Sequence, residues 1–317
     1  MRAIPAGLGR LGLGGAPLGN LFHAITDEDA AAVVDAAWRA GIRYFDTAPH
    51  YGLGLSERRL GEALARYPRE EYLLSTKVGR LLEPTPENAD QLDDGGFEVP
   101  AAYRRVWDPS PAGVQRSLAE SLERLGTDRI DIAFLHDPDE YDLDGGVAAG
   151  MPALAAAKDA GLVGAIGIGS KSVEAMATAV RTGLCDLIMV AGRLTVLDDS
   201  GADLLELCQQ HGVGIINVGV FNSGALAAPD PGPDLHFEYR AITPERLADL
   251  ERVHQVCQRF GVPVVDAALQ YSYRLPAVVN VTVGAASARQ VERCVDALES
   301  EIDPALWPAL VEAVRHR

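Results

Sequence analysis

The sequence predicts an α/β protein, a closed (β/α)8 TIM barrel with long loops at its C-terminal face. Three observations predict it. Short apolar, β-branched runs alternate with helical stretches, the pattern of parallel strands buried on both faces and joined by helical crossovers. Eight such strand units can be counted in the 317 residues, and that number suits a barrel better than an open sheet. No linker or low-complexity tract interrupts them, so residues 1–317 read as one domain.

The elements follow in order. Leu11 to Gly15 is a short Gly-rich strand. Thr26 caps a helix running to Arg39, acidic in its first turn as the helix dipole prefers, and Gly41 ends it. Ile42 to Phe45 is the second strand and Ser56 to Tyr67 its helix. Tyr72 to Val78 is the third strand. Gly79 to Asp108, rich in Pro, Asp and Gly, reads as one long irregular segment of the kind that forms a lid or binding loop. Ser110-Pro111 opens a helix to Arg124. Ile130 to Leu135 is the fourth strand, with a helix over Val147 to Ala160. Val163 to Ile168 is the fifth, with a helix over Val173 to Thr182. Leu187 to Val190 is the sixth, with a helix over Ala202 to His211. Gly214 to Val220 is the seventh, followed by a second polar loop, Asp230 to Tyr239. Helices at Pro244 to Phe260 and Val264 to Arg274 lead to the eighth strand, Val278 to Val283. Helices at Ser287 to Leu298 and Pro304 to Val314 close the chain.

Composition narrows the function. A formal net charge of -17 argues against a nucleic-acid groove or an anionic membrane surface as partner. No apolar run reaches the roughly 18 residues of a membrane span, and the Gly- and Pro-rich start does not read as a signal-peptide core. The four cysteines, Cys185, Cys208, Cys257 and Cys294, are far apart with no CxxC pair. They read as buried thiols in a reducing cytoplasm and not as disulfides or a metal site.

In a parallel barrel the active site lies at the C-terminal ends of the strands. The second strand ends on Asp46, with Tyr51 in its loop. The third carries Lys77, and the fourth ends on His136. A phenol ordinarily titrates at about 10, and a nearby ammonium or a neighbouring His favours the phenolate. Lys77 at a strand end needs a counter-charge, which Asp46 supplies. Tyr51 becomes a proton donor and acceptor beside a reacting C–O bond, with His136 orienting the oxygen. Each residue alone also reads as structural: a packing Tyr, a Lys–Asp pair, a His capping a strand. Their register on adjacent strands favours chemistry. His50, Trp107 and Tyr141 are candidate substrate walls or simply loop packing residues.

This constellation resembles the aldo-keto reductases along essentially the whole chain. FDTAPHYGLGLSERRLGEAL is similar to that family's signature around its catalytic Asp and Tyr, STKVG to its catalytic-Lys strand, and SLERLGTDRIDIAFLHDPD to the segment leading to its catalytic His. The resemblance implies that Asp46, Tyr51, Lys77 and His136 form a catalytic tetrad. It also implies a nicotinamide cofactor bound extended across the barrel mouth without a Rossmann fold. The glycines from Gly7 to Gly15 do not make a dinucleotide fingerprint, because no strand–turn–helix surrounds them. HDPD, AGRLT and VFNSGAL are most similar to the members that oxidise L-fucose, D-arabinose or L-galactose, and to pyridoxal 4-dehydrogenase.

The chain departs from the family in its cofactor contacts. Gly169 and Ser170 replace the usual Ser-Asn pair after the fifth strand, and the usual Gln is missing near Ala191. Ser170 and Arg193 are the substitutes the resemblance leaves for the carboxamide, although Arg193 reads equally as one half of an internal salt bridge. Phe221 matches a nicotinamide-stacking Tyr, with Asn222 and Ser223 following it. NADP-using relatives carry cations after the eighth strand. Here Gly284, Ala285 and Ala286 are uncharged and Gln290 takes the Arg position, with Arg289 and Arg293 nearby. The expectation is therefore NAD, with NADP possible. The function expected is oxidation of C1 of a sugar hemiacetal to the lactone. The alternatives are an NADPH-dependent aldehyde or ketone reductase, a pyridoxal dehydrogenase, and a cofactor-sensing regulatory subunit.

Overall fold

The computed structural model describes residues 4–238 and 240–315. Eight parallel strands form a closed barrel: β1 (Leu11–Gly14), β2 (Tyr44–Asp46), β3 (Leu73–Val78), β4 (Ile130–His136), β5 (Val163–Ser170), β6 (Leu187–Ala191), β7 (Gly214–Val218) and β8 (Val278–Gly284). Each pairs with its sequence neighbours, and β1 closes on β8 with Leu11 opposite Val281. The strands run from three to eight residues, and one set of their side chains fills the barrel interior. Tyr44, Ile132, Phe134, Leu187, Met189 and Ile216 belong to that interior cluster, with Leu8 packed among them.

The helices are α1 (Asp27–Arg39), α2 (Leu55–Leu64), α3 (Pro111–Leu125), α4 (Leu143–Asp159), α5 (Val173–Arg181), α6 (Ala202–His211), α7 (Pro244–Phe260), α8 (Val264–Tyr271), α9 (Ala288–Glu299) and α10 (Leu306–Arg315). Local chemistry sets their ends. Thr26 and Asp29 make a reciprocal capping box at α1, and Ser110 and Thr243 cap α3 and α7 just before a proline. Gly126, Gly212 and Gly261 close α3, α6 and α7 in the left-handed conformation. The main core lies between strands and helices, where Val33, Val34, Leu60, Leu118, Leu154 and Ile188 are buried. Among the described residues no helix is long and apolar enough to cross a membrane.

Four segments differ from the sequence reading. The stretch from Gly79 to Asp108 is not irregular. Arg80–Pro84 and Tyr103–Trp107 pair antiparallel, with Arg80 opposite Trp107 and Pro84 opposite Tyr103. Leu82, Phe97 and Val99 bury themselves against Leu53 in a satellite cluster that reaches Tyr51. The second expected loop contains a short antiparallel pair, His236–Phe237 with Arg240–Ala241; Tyr239 lies outside the described residues. Finally, α4 begins at Leu143, four residues earlier than Val147, and the helix from Val264 tightens into a 3-10 turn over Ser272–Arg274.

The turn after β2 shows why glycine is required there. Gly52 has φ +61°, and a Cβ on it would lie 2.3 Å from the Gly19 carbonyl oxygen. The loop after β1 therefore seats directly against the chain at Tyr51, which only glycine permits.

Candidate active site

Asp46, Lys77 and His136 stand at the C-terminal ends of β2, β3 and β4, and Tyr51 hangs from the loop after β2. Sheet register brings them together: Asp46 lies opposite Ser75, and Lys77 opposite Phe134. The Lys77 ammonium donates to Asp46 Oδ2 at 2.6 Å and to the Thr47 carbonyl at 2.9 Å. Ser75 Oγ donates to Asp46 Oδ1 at 2.7 Å, so both carboxylate oxygens are engaged. Lys77 Nζ lies 4.6 Å from the centre of the Tyr51 ring, close enough for its charge to favour the phenolate. The His136 ring stands edge-on to Tyr51, with centroids 5.8 Å apart.

Protonation follows from these contacts. Burial alone would lower the Lys77 pKa, but Asp46 and Tyr51 outweigh it and hold the ammonium charged. Tyr51 opens onto a cavity, yet its hydroxyl is desolvated, and this raises its pKa above the usual phenol value. Lys77 pulls the other way and Asp46 adds to the rise. The Asp46 charge opposes the phenolate, and its effect on Tyr51 runs through fixing Lys77. His136 is pushed well below its ordinary value by burial and by the cations Arg80 and Lys77, so it is a neutral imidazole. His50, 5.4 Å from it ring to ring, is pushed down to about 2 by burial, Arg80 and Arg105.

Tyr51, Lys77, His136 and His50 line one cavity of about 620 Å³. Its walls also include Phe22, Phe97, Gly169, Ser170, Met189 and Ala191. Ser170 Oγ donates to Asp139 at 2.7 Å and accepts from the Ser172 N–H at 2.8 Å. Among the charged residues of this cavity that sequence reasoning missed are Arg80, Asp137 and Glu140. Arg80 follows Lys77 by three residues and Asp137 adjoins His136, which was the available signal. Asp137 sits at φ +38°, and burial raises its carboxyl to about 6 against the pull of Arg80. A smaller cavity of about 360 Å³, between residues 195–200 and α10, holds none of the expected site residues.

The other expected residues lie outside the cavity lining. Trp107 and Tyr141 stack on each other, with centroids 5.7 Å apart. Arg193 pairs with Asp198 at 3.2 Å and with Glu238, and it donates to the Lys171 carbonyl, so it is an internal salt-bridge residue. Arg293 is held by Asp266. Gln290 Oε1 accepts from the Ala286 N–H at 2.6 Å, and Arg289 is exposed at the start of α9. Gly284 is exposed at the end of β8. Phe221 is half-buried between the two main core clusters, and Asn222 and Ser223 both have positive φ. Asn222 is buried, and neither its Oδ1 nor its Nδ2 has a partner within the protein. An amide left with both ends unspent beside Gly192, at the end of β6, suits a ligand with donors and acceptors such as a dinucleotide.

Comparison with known proteins agrees with this geometry. The aldo/keto reductase family model matches residues 10–315. A D-threo-aldose 1-dehydrogenase of a Pseudomonas species is 47% identical over 314 residues, covering 98% of this chain and 94% of that one. A pyridoxal 4-dehydrogenase of Microbacterium luteolum is 35% identical, covering 95% and 92%. Among solved structures, a holo aldo-keto reductase of Bacillus halodurans superposes with a TM-score of 0.76 at 26% identity, covering 96% and 91%. The chain belongs to the aldo/keto reductase family, nicotinamide-dependent oxidoreductases that interconvert alcohols and carbonyls.

Proposed function

We propose that this protein is an NAD-preferring dehydrogenase that oxidises C1 of a cyclic aldose hemiacetal, of the L-fucose, D-arabinose or L-galactose type, to the lactone. The observation that carries the reading is one constellation. A phenol, a charged ammonium and a neutral imidazole face the same cavity at the ends of consecutive strands. The similarity to a D-threo-aldose 1-dehydrogenase supports the sugar.

In this reading Tyr51 is the catalytic base and acid. It takes the hemiacetal hydroxyl proton as phenolate and returns one as phenol in the reverse direction. Lys77 steadies the phenolate and Asp46 holds Lys77 in place. Neutral His136 hydrogen-bonds the substrate oxygen without competing for its proton. When bound, the nicotinamide supplies the two-electron acceptor for the C1 hydride, so that the sugar loses one hydride and one proton in becoming the lactone. In this reading Ser170, Phe221, Asn222 and Ser223 are the residues that would hold it, a role the unspent Asn222 amide supports.

Preference for NAD is supported by the chemistry after β8. Arg293 is committed to Asp266, Gln290 folds onto Ala286, and Gly284 to Ala286 carry no charge. Among the described residues only Arg289 of that group stands exposed and outside an ion pair, too little for a fixed phosphate grip. The four cysteines are all buried and free, in keeping with a reducing cytoplasm. The test is NADH or NADPH formation by the purified protein against a panel of aldoses and pyridoxal. We expect the highest kcat/KM for an aldose with NAD. A clear preference for NADP removes the cofactor reading, and a clear preference for pyridoxal, the activity named in the Microbacterium relative, removes the sugar.

A further inference from the structure

Arg80 is the buried cation of the cavity that the proton-transfer scheme leaves unused. Its side chain is only 8% exposed. Nη2 donates to Asp137 Oδ2 at 2.6 Å and to Glu140 Oε2 at 3.0 Å. The guanidinium lies over the Trp107 ring, 4.5 Å from its centre, and Trp107 is itself stacked on Tyr141. The fork is thus fixed by two carboxylates and an aromatic shelf. Its other donors are largely unspent. Nη1 meets His50 Nδ1 at 3.5 Å, the outer limit of a hydrogen bond, and buried Nε has no partner at all. A buried N–H without an acceptor calls for an explanation, and a ligand in the cavity supplies one.

Position and charge say what kind of ligand. Asp137 Oδ2, the acceptor for Arg80, also lies 3.4 Å from His136 Nε2, so the Arg80–Asp137 pair adjoins the imidazole beside the phenol. The charged residues lining the cavity are balanced, with Lys77, Arg80, Lys171 and Arg240 against Asp94, Asp137, Glu140 and Glu238. A wall of that kind does not select an anion. A rigid donor fork with a carboxylate acceptor alongside matches adjacent hydroxyl groups, each of which both accepts and donates.

We propose that Arg80, with Asp137, is the specificity-determining grip for hydroxyls on carbons next to the reacting carbon, so that the site takes a neutral polyhydroxylated substrate. This rests on the reading of Tyr51 and His136 as the reaction centre. Trp107 and Tyr141 then act behind Arg80, holding its plane.

The experiment compares paired substrates in both directions: an aldose and its singly deoxygenated analogues for oxidation with NAD, and glyceraldehyde and propanal for reduction with NADH. The readout is the ratio of kcat/KM within each pair, in the native protein and in Arg80→Lys and Asp137→Asn. Quenching of protein fluorescence by NADH verifies that each variant is folded. The native protein should prefer the hydroxylated member by on the order of 100-fold, because buried donors left unpaired reject the deoxy analogue. Arg80→Lys, which loses the fork, should bring that ratio at least about 10-fold closer to one. A uniform loss of kcat for both members, with the ratio intact, would show that Arg80 acts on the proton-transfer centre and would overturn the proposal. Equal kcat/KM across the native deoxy series overturns it without any variant. Preference for glyceraldehyde without oxidation of any aldose would support the grip while removing sugar oxidation. Aldose oxidation with an unchanged ratio in Arg80→Lys would do the reverse.

Discussion

Tyr51 sits between opposed influences. Desolvation and the Asp46 charge raise its pKa, and Lys77 lowers it, with the balance above the ordinary phenol value. The phenol is therefore the resting form. Oxidation needs the phenolate, so its kcat should rise with pH through the alkaline range, while carbonyl reduction, which needs the phenol, should fall there. His136 is neutral far below its usual pKa and adds no inflection of its own near neutrality. Asp137 does: its carboxyl loses its proton near pH 6. If that carboxylate accepts a substrate hydroxyl, KM for the aldose should rise as pH falls below about 6 while KM for NAD holds steady. A steady-state pH series on both substrates checks this. Asp46, Lys77 and His136, with Tyr51 in the loop between, were legible in the sequence because a strand that stops on a polar residue announces its mouth. Arg80 was not, because it follows Gly79 into a segment whose composition reads as irregular.

At the scale of the element, the hairpin of Arg80–Pro84 and Tyr103–Trp107 is what the sequence concealed. Its two strands are separated by a Pro-, Asp- and Gly-rich stretch, and cross-strand pairing over that separation leaves no local periodicity. Charged side chains pin it over the site. Arg105 forks onto Asp93 at 2.6 and 2.8 Å and donates to the His50 carbonyl at 3.1 Å, while Phe97 packs on His50 and Tyr51. Asp93→Ala should release this clamp. The expected result is a KM for the aldose raised about 10-fold, the scale of a lost charge-assisted contact of ~1.4 kcal/mol, with KM for NAD little changed. Parallel KM determinations decide it, and equal rises for both substrates would mean that the hairpin serves the barrel mouth as a whole. The second hairpin was concealed in the same way. Its Glu238 claims Arg193, and no spacing rule links residues 45 positions apart.

Across the whole molecule, the eight-fold alternation made the barrel legible, since parallel strands covered on both faces are apolar throughout. The same burial places two neutral histidines in the fold, His50 titrating at about 2 and His136 well below its usual value. In the unfolded chain each takes up a proton as pH falls through about 6.5; in the folded chain they do not. The unfolded state then binds more protons, so stability falls as pH drops through this range. Asp137 works the other way between its usual carboxyl value and about 6, because its raised pKa favours the fold at low pH. Two imidazoles against one carboxyl leave a net loss. Thermal melting should show a lower Tm at pH 5 than at pH 7, and His50→Gln should flatten that slope.

The barrel, the strand-end residues and the Arg80 wall serve a single claim, that hydride leaves C1 of a sugar as its hydroxyl proton passes to Tyr51. Incubating the protein with NAD and an aldose carrying deuterium at C1, then weighing the nicotinamide product by mass spectrometry, tests it directly. The account predicts NADH heavier by one deuterium from the native protein. It also predicts product formation slowed by on the order of 10²–10⁴-fold in Tyr51→Phe, the usual contribution of a positioned acid–base. Unlabelled NADH, or Tyr51→Phe turning over at the native rate, would contradict it.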